Sequence, residues 1–429
     1  MARRTNTRRY LLTLVAAVGF VGSGLGVAAL AQSDGGDVFT GCLNENSGVL
    51  RNVAVGFEPA KACNPQELQI TWDRAGPAFD ARIAALEERI AELEAPFGTL
   101  DLFVDCAAGE TIGAALAEAE THVGSLNITV SGVCEESVVV VRDDVSLSGV
   151  DRSDGIRALS TDGRAVLVSD ARRVVLSNMT IIGGERGIVV HRADASAVGI
   201  TVRDNSGDGI VAFNNASFSV RDSVIVDNGS GVGAGAASIV SLTNSEVSGS
   251  SGTGVSAHGG TMVINRSEIV GNEKGAVAQE DGTLRIVNTE VEDNQGGGVL
   301  VISSRVSLDG AATRIAGNGG GIEVTNGSSI SIETGPVLVE DNRGGGIVVF
   351  GGSALRAGEL IVRNNDGNGI SVGDLSTLNP DAIQVVDNNG WGIFCEGPPA
   401  VAVFGGQVFY DEEPVLSGNV EGDTNCFAS

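Results

Sequence analysis

The sequence predicts an all-β solenoid, a rod in which short parallel strands wind into about ten regular coils, each of about 22–23 residues, with a cap at each end. The main observation is a phrase that ends in glycine, as in DNRGGGIVVF at 341–350, and that returns roughly every 21–25 residues. A steady period of this length is the signature of a repeat architecture. The last glycines of the phrase are Gly187, Gly209, Gly231, Gly254, Gly275, Gly298, Gly321, Gly346, Gly369 and Gly392.

The residues that follow each glycine show which solenoid this is. Small apolar residues alternate there, as Ile347 and Val349 do around Val348. Alternation of β-branched residues with period two indicates a strand with one buried face. No unit contains a long helical pattern. A unit of about 22 residues suffices for three short strands and three turns. We therefore expect Ile347 and Val349 to face the core and Val348 to face outward.

An asparagine precedes the glycine phrase in most coils. We expect it to adopt left-handed geometry at a tight bend and to bond with its counterparts on neighbouring coils. We expect the glycine itself to supply a positive φ where the chain enters the next strand. The predicted turn asparagines are Asn205, Asn228, Asn272, Asn294, Asn318, Asn342, Asn365 and Asn388.

This N-x-G-x-G-I-like repeat resembles the right-handed parallel β-helix of the pectin-lyase-like superfamily, over roughly residues 100–429. The stretch CAAGETIGAALAEAE at 106–120 resembles the entry region of such a fold, in which a short amphipathic helix covers the first coil. The resemblance implies the fold. It leaves the activity open, because relatives include polysaccharide lyases, hydrolases and epimerases as well as adhesins and phage fibres.

The segment 1–31 has the pattern of an export signal. Four arginines between Arg3 and Arg9 precede an uncharged run from Leu11 to Ala31 that ends in a small-x-small cleavage pattern. The run is also just long enough to span a bilayer, so both a cleaved signal peptide and an uncleaved anchor remain open. Thr7–Leu12 also resembles a twin-arginine signal. We expect a secreted or cell-surface protein.

Six cysteines fit an exported chain, in which disulfides persist. They fall as three local pairs, Cys42 with Cys63, Cys106 with Cys134 and Cys395 with Cys426. Bridging within each pair is our choice among fifteen connectivities. A metal site is disfavoured, because the three histidines are widely spread and no CxxC occurs.

The organisation before the solenoid is predicted from two further stretches. Residues 39–77, with Cys42, Cys63 and Trp72, resemble a small cysteine-containing head found before fibrous regions in secreted bacterial proteins. Residues 79–93 carry a heptad seam with opposite charges beside it, which predicts a short coiled coil and a homo-oligomer. The alternative is an amphipathic helix packed on its own chain. The expected segments are signal 1–31, linker 32–38, head 39–77, helix 78–96, N-terminal cap 97–165, regular coils 166–395 and C-terminal cap 396–429.

Charge and motifs exclude several classes of function. The formal charge is −27, which argues against nucleic acid because phosphate binding needs a basic surface. No helix follows the glycines, so they do not form a nucleotide-binding loop, and we expect no cofactor. The polygalacturonase pattern is missing, since Asn288-Thr289-Glu290 is only a partial match and no GHG occurs.

Two features could contact a ligand or partner. Trp391 replaces small residues of other coils, and we weigh an exposed glycan contact against packing beneath the C-terminal tail. Outward positions form a partly apolar stripe that includes Val277, Leu300, Val348 and Phe394. The preferred function is a non-catalytic module for adhesion, structural display or the binding of a glycan or cell-surface partner. The alternative is a polysaccharide-active enzyme with a divergent site.

Overall fold

The computed structural model describes residues 38–44, 47, 49–73, 84–89, 98–396 and 415–426. The chain divides into two compact units, Met1–Ala95 and Pro96–Ser429. The expected export segment and the heptad positions other than 84–89 lie outside the described residues. Within the described residues, no helix combines the length and the apolar character needed to cross a bilayer.

The first unit contains a small antiparallel sheet. Its strands are Val38–Asn44, Val49–Val55 and Glu67–Asp73, and Val38–Asn44 lies between the other two. A disulfide joins Cys42, which is fully buried, to Cys63. Residues 84–89 are helical and exposed, with Leu86 57% accessible.

The second unit is a parallel solenoid with three sheets of 13 strands each. The chain runs from sheet 1 to sheet 2 to sheet 3 and back to sheet 1. Sheet 1 contains Val138–Val140, Arg164–Ser169, Arg186–His191, Asp208–Phe213, Ser230–Gly235, Thr253–His258, Lys274–Gln279, Gly297–Ile302, Gly320–Thr325, Ile347–Val349, Ile370–Val372, Trp391–Cys395 and Gly422–Thr424.

The other two sheets complete each coil. Sheet 2 contains Thr99–Asp105, Ser125–Ser131, Val145–Gly149, Val174–Ser177, Asp194–Val198, Ser217–Arg221, Ile239–Thr243, Thr261–Asn265, Thr283–Val287, Arg305–Asp309, Ser329–Ile332, Ala354–Ala357 and Thr377–Pro380. Sheet 3 contains Val133–Glu135, Gly155–Arg157, Thr180–Ile182, Thr201–Arg203, Val224–Val226, Glu246–Ser248, Glu268–Val270, Glu290–Glu292, Arg314–Ala316, Val337–Glu340, Leu360–Arg363, Ile383–Val386 and Val415–Ser417.

The predicted all-β parallel solenoid is confirmed, with about 13 coils rather than the ten regular ones. The additional coils are mainly those before Gly187, where strands pair in parallel but the asparagine–glycine phrase is missing. The core follows the predicted alternation, since Ile347 and Val349 are fully buried and Val348 faces outward.

A ladder of buried asparagines connects the coils at the corner between sheets 3 and 1. Oδ1 of Asn342 accepts hydrogen bonds from both N and Nδ2 of Asn318, at 3.0 and 3.1 Å. Nδ2 of Asn342 donates to Oδ1 of Asn365 at 2.9 Å and to the carbonyl of Ile315. The same pattern extends to Asn419, which the period alone did not reveal because 31 residues separate it from Asn388.

The left-handed position in this corner is the residue before each asparagine. The asparagines themselves do not have positive φ, which corrects the expectation from sequence. An aspartate, an asparagine or a glycine fills the left-handed position, because these residues tolerate it at low cost. The positions are Asp204, Asp227, Gly271, Asp293, Gly317, Asp341, Asn364, Asp387 and Gly418, and Gly249 has the same geometry before Ser250.

The glycine near the start of each regular strand of sheet 1 does not have a positive φ, so that expectation is also wrong. Close packing explains the glycine instead. A Cβ at Gly346 would lie 2.5 Å from Cγ1 of Val362 and 2.6 Å from the carbonyl oxygen of Gly369. Real Cβ atoms essentially never approach other atoms this closely. The neighbouring coil and the asparagine ladder therefore exclude any side chain at this position.

Two further ladders of buried hydroxyls connect the other corners. Between sheets 2 and 3, the backbone N of Ser223 donates to Oγ of Ser245, and the N of Ser245 donates to Oγ of Ser267. Between sheets 1 and 2, the N of Ser328 donates to Oγ of Ser353 at 3.1 Å. These bonds satisfy buried N–H groups that leave the sheets at the turns.

Each end of the solenoid is pinned by a disulfide. Cys106 is bonded to Cys134 beside the helix Ile112–Glu118, the short helix expected in the entry region. The carboxylate of Glu136 caps that helix by accepting from the N of Ile112 at 2.7 Å. Cys395 is bonded to Cys426 at the other end. Disulfides persist in oxidising surroundings, so the protein belongs in an extracellular or periplasmic compartment.

Ser250 occupies the ladder position of one coil in place of an asparagine. Replacing it by asparagine would complete the ladder, which gives a testable prediction. The Oγ of Ser250 is buried and has no hydrogen-bond partner among the described residues. Ser250→Asn supplies the Oδ1 that Asn228 lacks, so we expect the free energy of unfolding to rise by about 1 kcal/mol. Urea unfolding followed by circular dichroism measures it, with exposed Ser251→Asn as the control. Equal stability of the two variants would show that the ladder adds nothing at this coil.

Candidate functional site

The outer faces of the three sheets are open surfaces with low edges. Between two and six residues separate successive strands from Arg164 to Cys395. Turns this short cannot build high walls around a groove. Any ligand of these coils therefore meets a flat face or a corner, and the side chains of each face decide its chemistry.

The outer face of sheet 2 carries hydroxyls and arginines. Its central column consists mainly of serine, in register from coil to coil at about 4.8 Å per step. The column contains Ser146, Val175, Ser196, Ser219, Ser241, Val263, Arg285, Ser307, Ser331, Arg356 and Asn379. Alternation along each strand places these side chains outward.

Four exposed arginines lie on the middle and C-terminal coils of this face, Arg221, Arg285, Arg305 and Arg356. The strands from Ser217–Arg221 to Thr377–Pro380 contain one carboxylate beside them, that of Asp309. Arg305 and Arg356 form no salt bridge with any described residue. We call these four arginines the arginine face. It is a basic patch on a chain whose formal charge is −27.

Asp309 is held in a small polar cluster on the arginine face. Its Oδ2 accepts from Oγ of Ser307 at 2.7 Å and from Nε of Arg285 at 3.3 Å. Burial acts to raise the pKa of Asp309, but the hydrogen bonds from Ser307 and Arg285 outweigh it and lower that pKa below its ordinary value. Asp309 therefore stays ionised at neutral pH, where it orients Arg285 and is a poor proton donor.

The outer face of sheet 3 carries paired charges that connect neighbouring coils. Glu340, which is 5% accessible, accepts from Nε of Arg314 at 2.6 Å and from Nε of Arg363 at 2.7 Å. Arg314 also bonds Glu292 on the preceding coil. These groups satisfy one another and are structural. No three His, Cys, Asp or Glu side chains in the described ranges are grouped as metal ligands.

The predicted apolar stripe is one column of the outer face of sheet 1. Val277, Leu300 and Val348 stand in register with Glu323 between the last two, and Phe394 lies two coils beyond Val348. Val277 is 5% accessible, and the other apolar members are half-buried. The structure thus brings the four residues to one face without showing what they contact.

Trp391 packs against the chain's own C-terminal strand. A Cβ at Gly422 would lie 2.6 Å from Cζ3 of Trp391, so the glycine leaves room for the indole ring. The backbone N of Trp391 donates to Oδ1 of Asn368 at 2.8 Å. The half-buried side chain of Trp391 thus lies beside the strand Gly422–Thr424.

Sequence reasoning missed the arginine face. The arginines occur in short apolar pieces such as LRIV at 284–287 and ALRA at 354–357, whose pattern predicts strands and no more. The sequence does contain one indication, since Arg285 and Arg356 occupy outward positions in strands of alternating apolar and polar residues. Their alignment becomes visible only with the register between coils.

Comparison with known proteins agrees with this architecture. Residues 230–390 match the family described as "Right handed beta helix region". The repeat domain is a right-handed parallel β-helix. No curated protein sequence is significantly similar to the chain.

Solved structures with similar β-helices include an epimerase and a lyase. The A-module of mannuronan C-5 epimerase AlgE4 from Azotobacter vinelandii is 17% identical, with a TM-score of 0.45 over 66% of this chain and 91% of that one. An alginate lyase from Paenibacillus sp. is 14% identical, with a TM-score of 0.33 over 56% of this chain and 94% of that one. At these identities the similarity concerns the fold alone.

Proposed function

We propose that this protein is an exported, non-catalytic module that binds an extended acidic polysaccharide along the arginine face. The observation that carries the proposal is the concentration of four arginines and one carboxylate on one flat, hydroxyl-bearing face of an acidic rod. Guanidinium groups bind carboxylates with paired hydrogen bonds, and the surrounding serines can bond sugar hydroxyls. The N-terminal segment would direct export, and the heptad seam at 79–93 would multiply the binding face in a homo-oligomer.

The shape of the face suits a long ligand better than a small one. The described residues of the sheet form no enclosure that would bury a small molecule, which normally loses most of its surface to a pocket. A chain laid across several coils gains many weak contacts at once, at a spacing comparable to one sugar residue. Such binding is expected to weaken with salt, because exposed charges are screened.

The proposal is tested by affinity electrophoresis in gels that contain sodium polygalacturonate, with dextran gels as the neutral reference. We expect Arg305→Ser combined with Arg356→Ser to weaken retardation by polygalacturonate roughly tenfold, because two unpaired guanidinium groups are lost. The matched control is Arg157→Ser with Arg203→Ser, which removes the same charge from sheet 3. Equal weakening in both pairs would mean that only net charge matters and would refute a defined binding face.

A polysaccharide-active enzyme is the second candidate, and one observation favours it. Asp309 and Arg285 form a carboxylate–guanidinium pair in the middle of the arginine face. Such a pair could hold a sugar carboxylate and accept a proton, although its lowered pKa makes Asp309 a weak base. If this candidate is correct, Asp309→Asn abolishes turnover while polygalacturonate binding persists.

A further inference from the structure

We propose that the outer face of sheet 1 binds the same face of a second copy of this chain. This inference goes beyond the polysaccharide proposal, because sheets 1 and 2 present different surfaces and neither proposal needs the other. It starts from the central column of the face, which runs the length of the regular coils. The column contains Leu167, Val189, Val211, Gly233, Ser256, Val277, Leu300, Glu323, Val348, Ser371 and Phe394.

A second column, toward sheet 2, adds the apolar side chains of Phe213, Ile302 and Phe350 among small and polar residues. It contains Ser169, His191, Phe213, Gly235, His258, Gln279, Ile302, Thr325 and Phe350, and no carboxylate occurs in it. The ring of Phe213 lies 5.0 Å from that of His191, and a Cβ at Gly373 would touch the ring of Phe350. The rings are therefore held in place before any partner arrives, which lowers the entropy cost of association.

The face is large enough for a stable dimer. Eleven coils at about 4.8 Å per step span about 50 Å, and the strand segments are about 15 Å wide. Each copy would bury about 750 Å², or about 1,500 Å² in total, which is the standard size of a specific protein–protein interface.

Charge selects a second copy as the partner. Two molecules of formal charge −27 repel each other, so they can meet only where acidic groups are scarce. Glu323 is the sole carboxylate of the central column, and the column at the sheet's opposite edge contains Asp208 against Arg164, Arg186 and Lys274. Glu280 borders the face, where it bonds His258 of the second column. The face is thus close to neutral, with an apolar central column, on an otherwise strongly acidic chain.

Glycines at the edge of the same face let another surface come close. A Cβ at Gly297 or Gly320 would meet no atom within 4 Å, and neither glycine has a left-handed φ. Equivalent positions on other coils carry side chains, as Lys274 and Asp208 show. The fold does not need glycine at these two positions, and a bare backbone suits the close approach of a neighbouring molecule.

The experiment is sedimentation velocity over a concentration series of the full chain. It is run with the natural sequence and with Leu86→Asp. The aspartate prevents association through the heptad seam, so that the second series measures association through the β-helix alone. We expect Leu300→Asp to raise the dissociation constant at least tenfold. We expect Glu323→Val to lower it by a similar factor, because association no longer desolvates a carboxylate.

Glu323→Val makes the test independent of folding, since a damaged variant does not associate more tightly through its native face. The matched control is Glu268→Val, which exposes the same side chain on sheet 3 and should leave the dissociation constant unchanged. The proposal is overturned if Leu300→Asp and Glu323→Val both sediment like the parent chain at every concentration. It is also overturned if Glu268→Val tightens association as much as Glu323→Val.

Discussion

Replacement of Asn342 by alanine is expected to lower the free energy of unfolding by about 3–5 kcal/mol. Asn342 is 1% accessible, and its side chain takes part in four ladder hydrogen bonds. Its loss leaves the backbone N of Asn318 buried without its acceptor and removes the hydrogen bond from Nδ2 of Asn342 to the carbonyl of Ile315. A buried polar group without a partner costs about 1–3 kcal/mol, and the alanine also leaves a small void.

Urea unfolding monitored by circular dichroism measures this loss. The control is Asn389→Ala, which removes an exposed asparagine whose side chain bonds Asp366 on the preceding coil. We expect this variant to remain within about 0.5 kcal/mol of the parent chain. If Asn342→Ala unfolds at the same urea concentration as Asn389→Ala, the ladder does not stabilise the coils.

Substitution of Gly321 by alanine is the second large effect, with an expected loss of about 3 kcal/mol or more. A Cβ at Gly321 would lie 2.1 Å from the carbonyl oxygen of Gly346 and 2.9 Å from Cγ1 of Val339. Backbone atoms of the next coil cannot yield without breaking the parallel pairing. The strand Gly320–Thr325 would therefore separate from its neighbour or shift register.

The adjacent glycine provides the matched control. Gly320→Ala adds the same methyl group one residue earlier, where no atom lies within 4 Å. Because alanine also reduces the entropy of the unfolded chain, we expect this variant to be equal to the parent or slightly more stable. Thermal unfolding of the two variants side by side decides the question. Similar melting temperatures would mean that the glycines are kept for flexibility and that close packing does not require them.

The sequence is sufficient to predict the architecture because the repeat constrains it many times. Each coil presents the same alternating strand after the same glycine, so Ile347 and Val349 are recognisable as core residues without any structure. The turn asparagines are recognisable for the same reason. The asparagines that bond one another lie 22 to 31 residues apart in sequence, which is one coil.

The local geometry of the corner is not predictable from the same pattern. Asn342 and Gly346 both belong to residue types that tolerate a positive φ, and so does Asp341 beside them. The structure distinguishes the three residues. Asp341 is left-handed, Asn342 bonds along the ladder, and Gly346 faces the next coil. The sequence alone does not show which residue needs a positive φ, which needs a ladder hydrogen bond and which must lack a Cβ.

The candidate site is hidden for a different reason. Arg285, Arg305 and Arg356 are far apart in sequence and belong to no motif, and they share a face only through the register of sheet 2. Trp391 stands out by its type, yet its environment is made by a strand from the C-terminal tail. Residue type alone thus draws attention to a packed side chain, whereas the alignment of the arginines on one face becomes visible only with the register between coils.

The most direct test of the central claim is incubation of the purified protein with sodium alginate and with sodium polygalacturonate. Binding is followed by co-sedimentation, and reducing ends, unsaturated ends, polymer length and uronate composition are followed in the same samples. A non-catalytic module is expected to bind the polymer through the arginine face and to leave its ends, length and composition unchanged after prolonged incubation. New reducing or unsaturated ends, or epimerised residues, formed by the parent chain and lost in Asp309→Asn, would contradict the account and establish an enzyme.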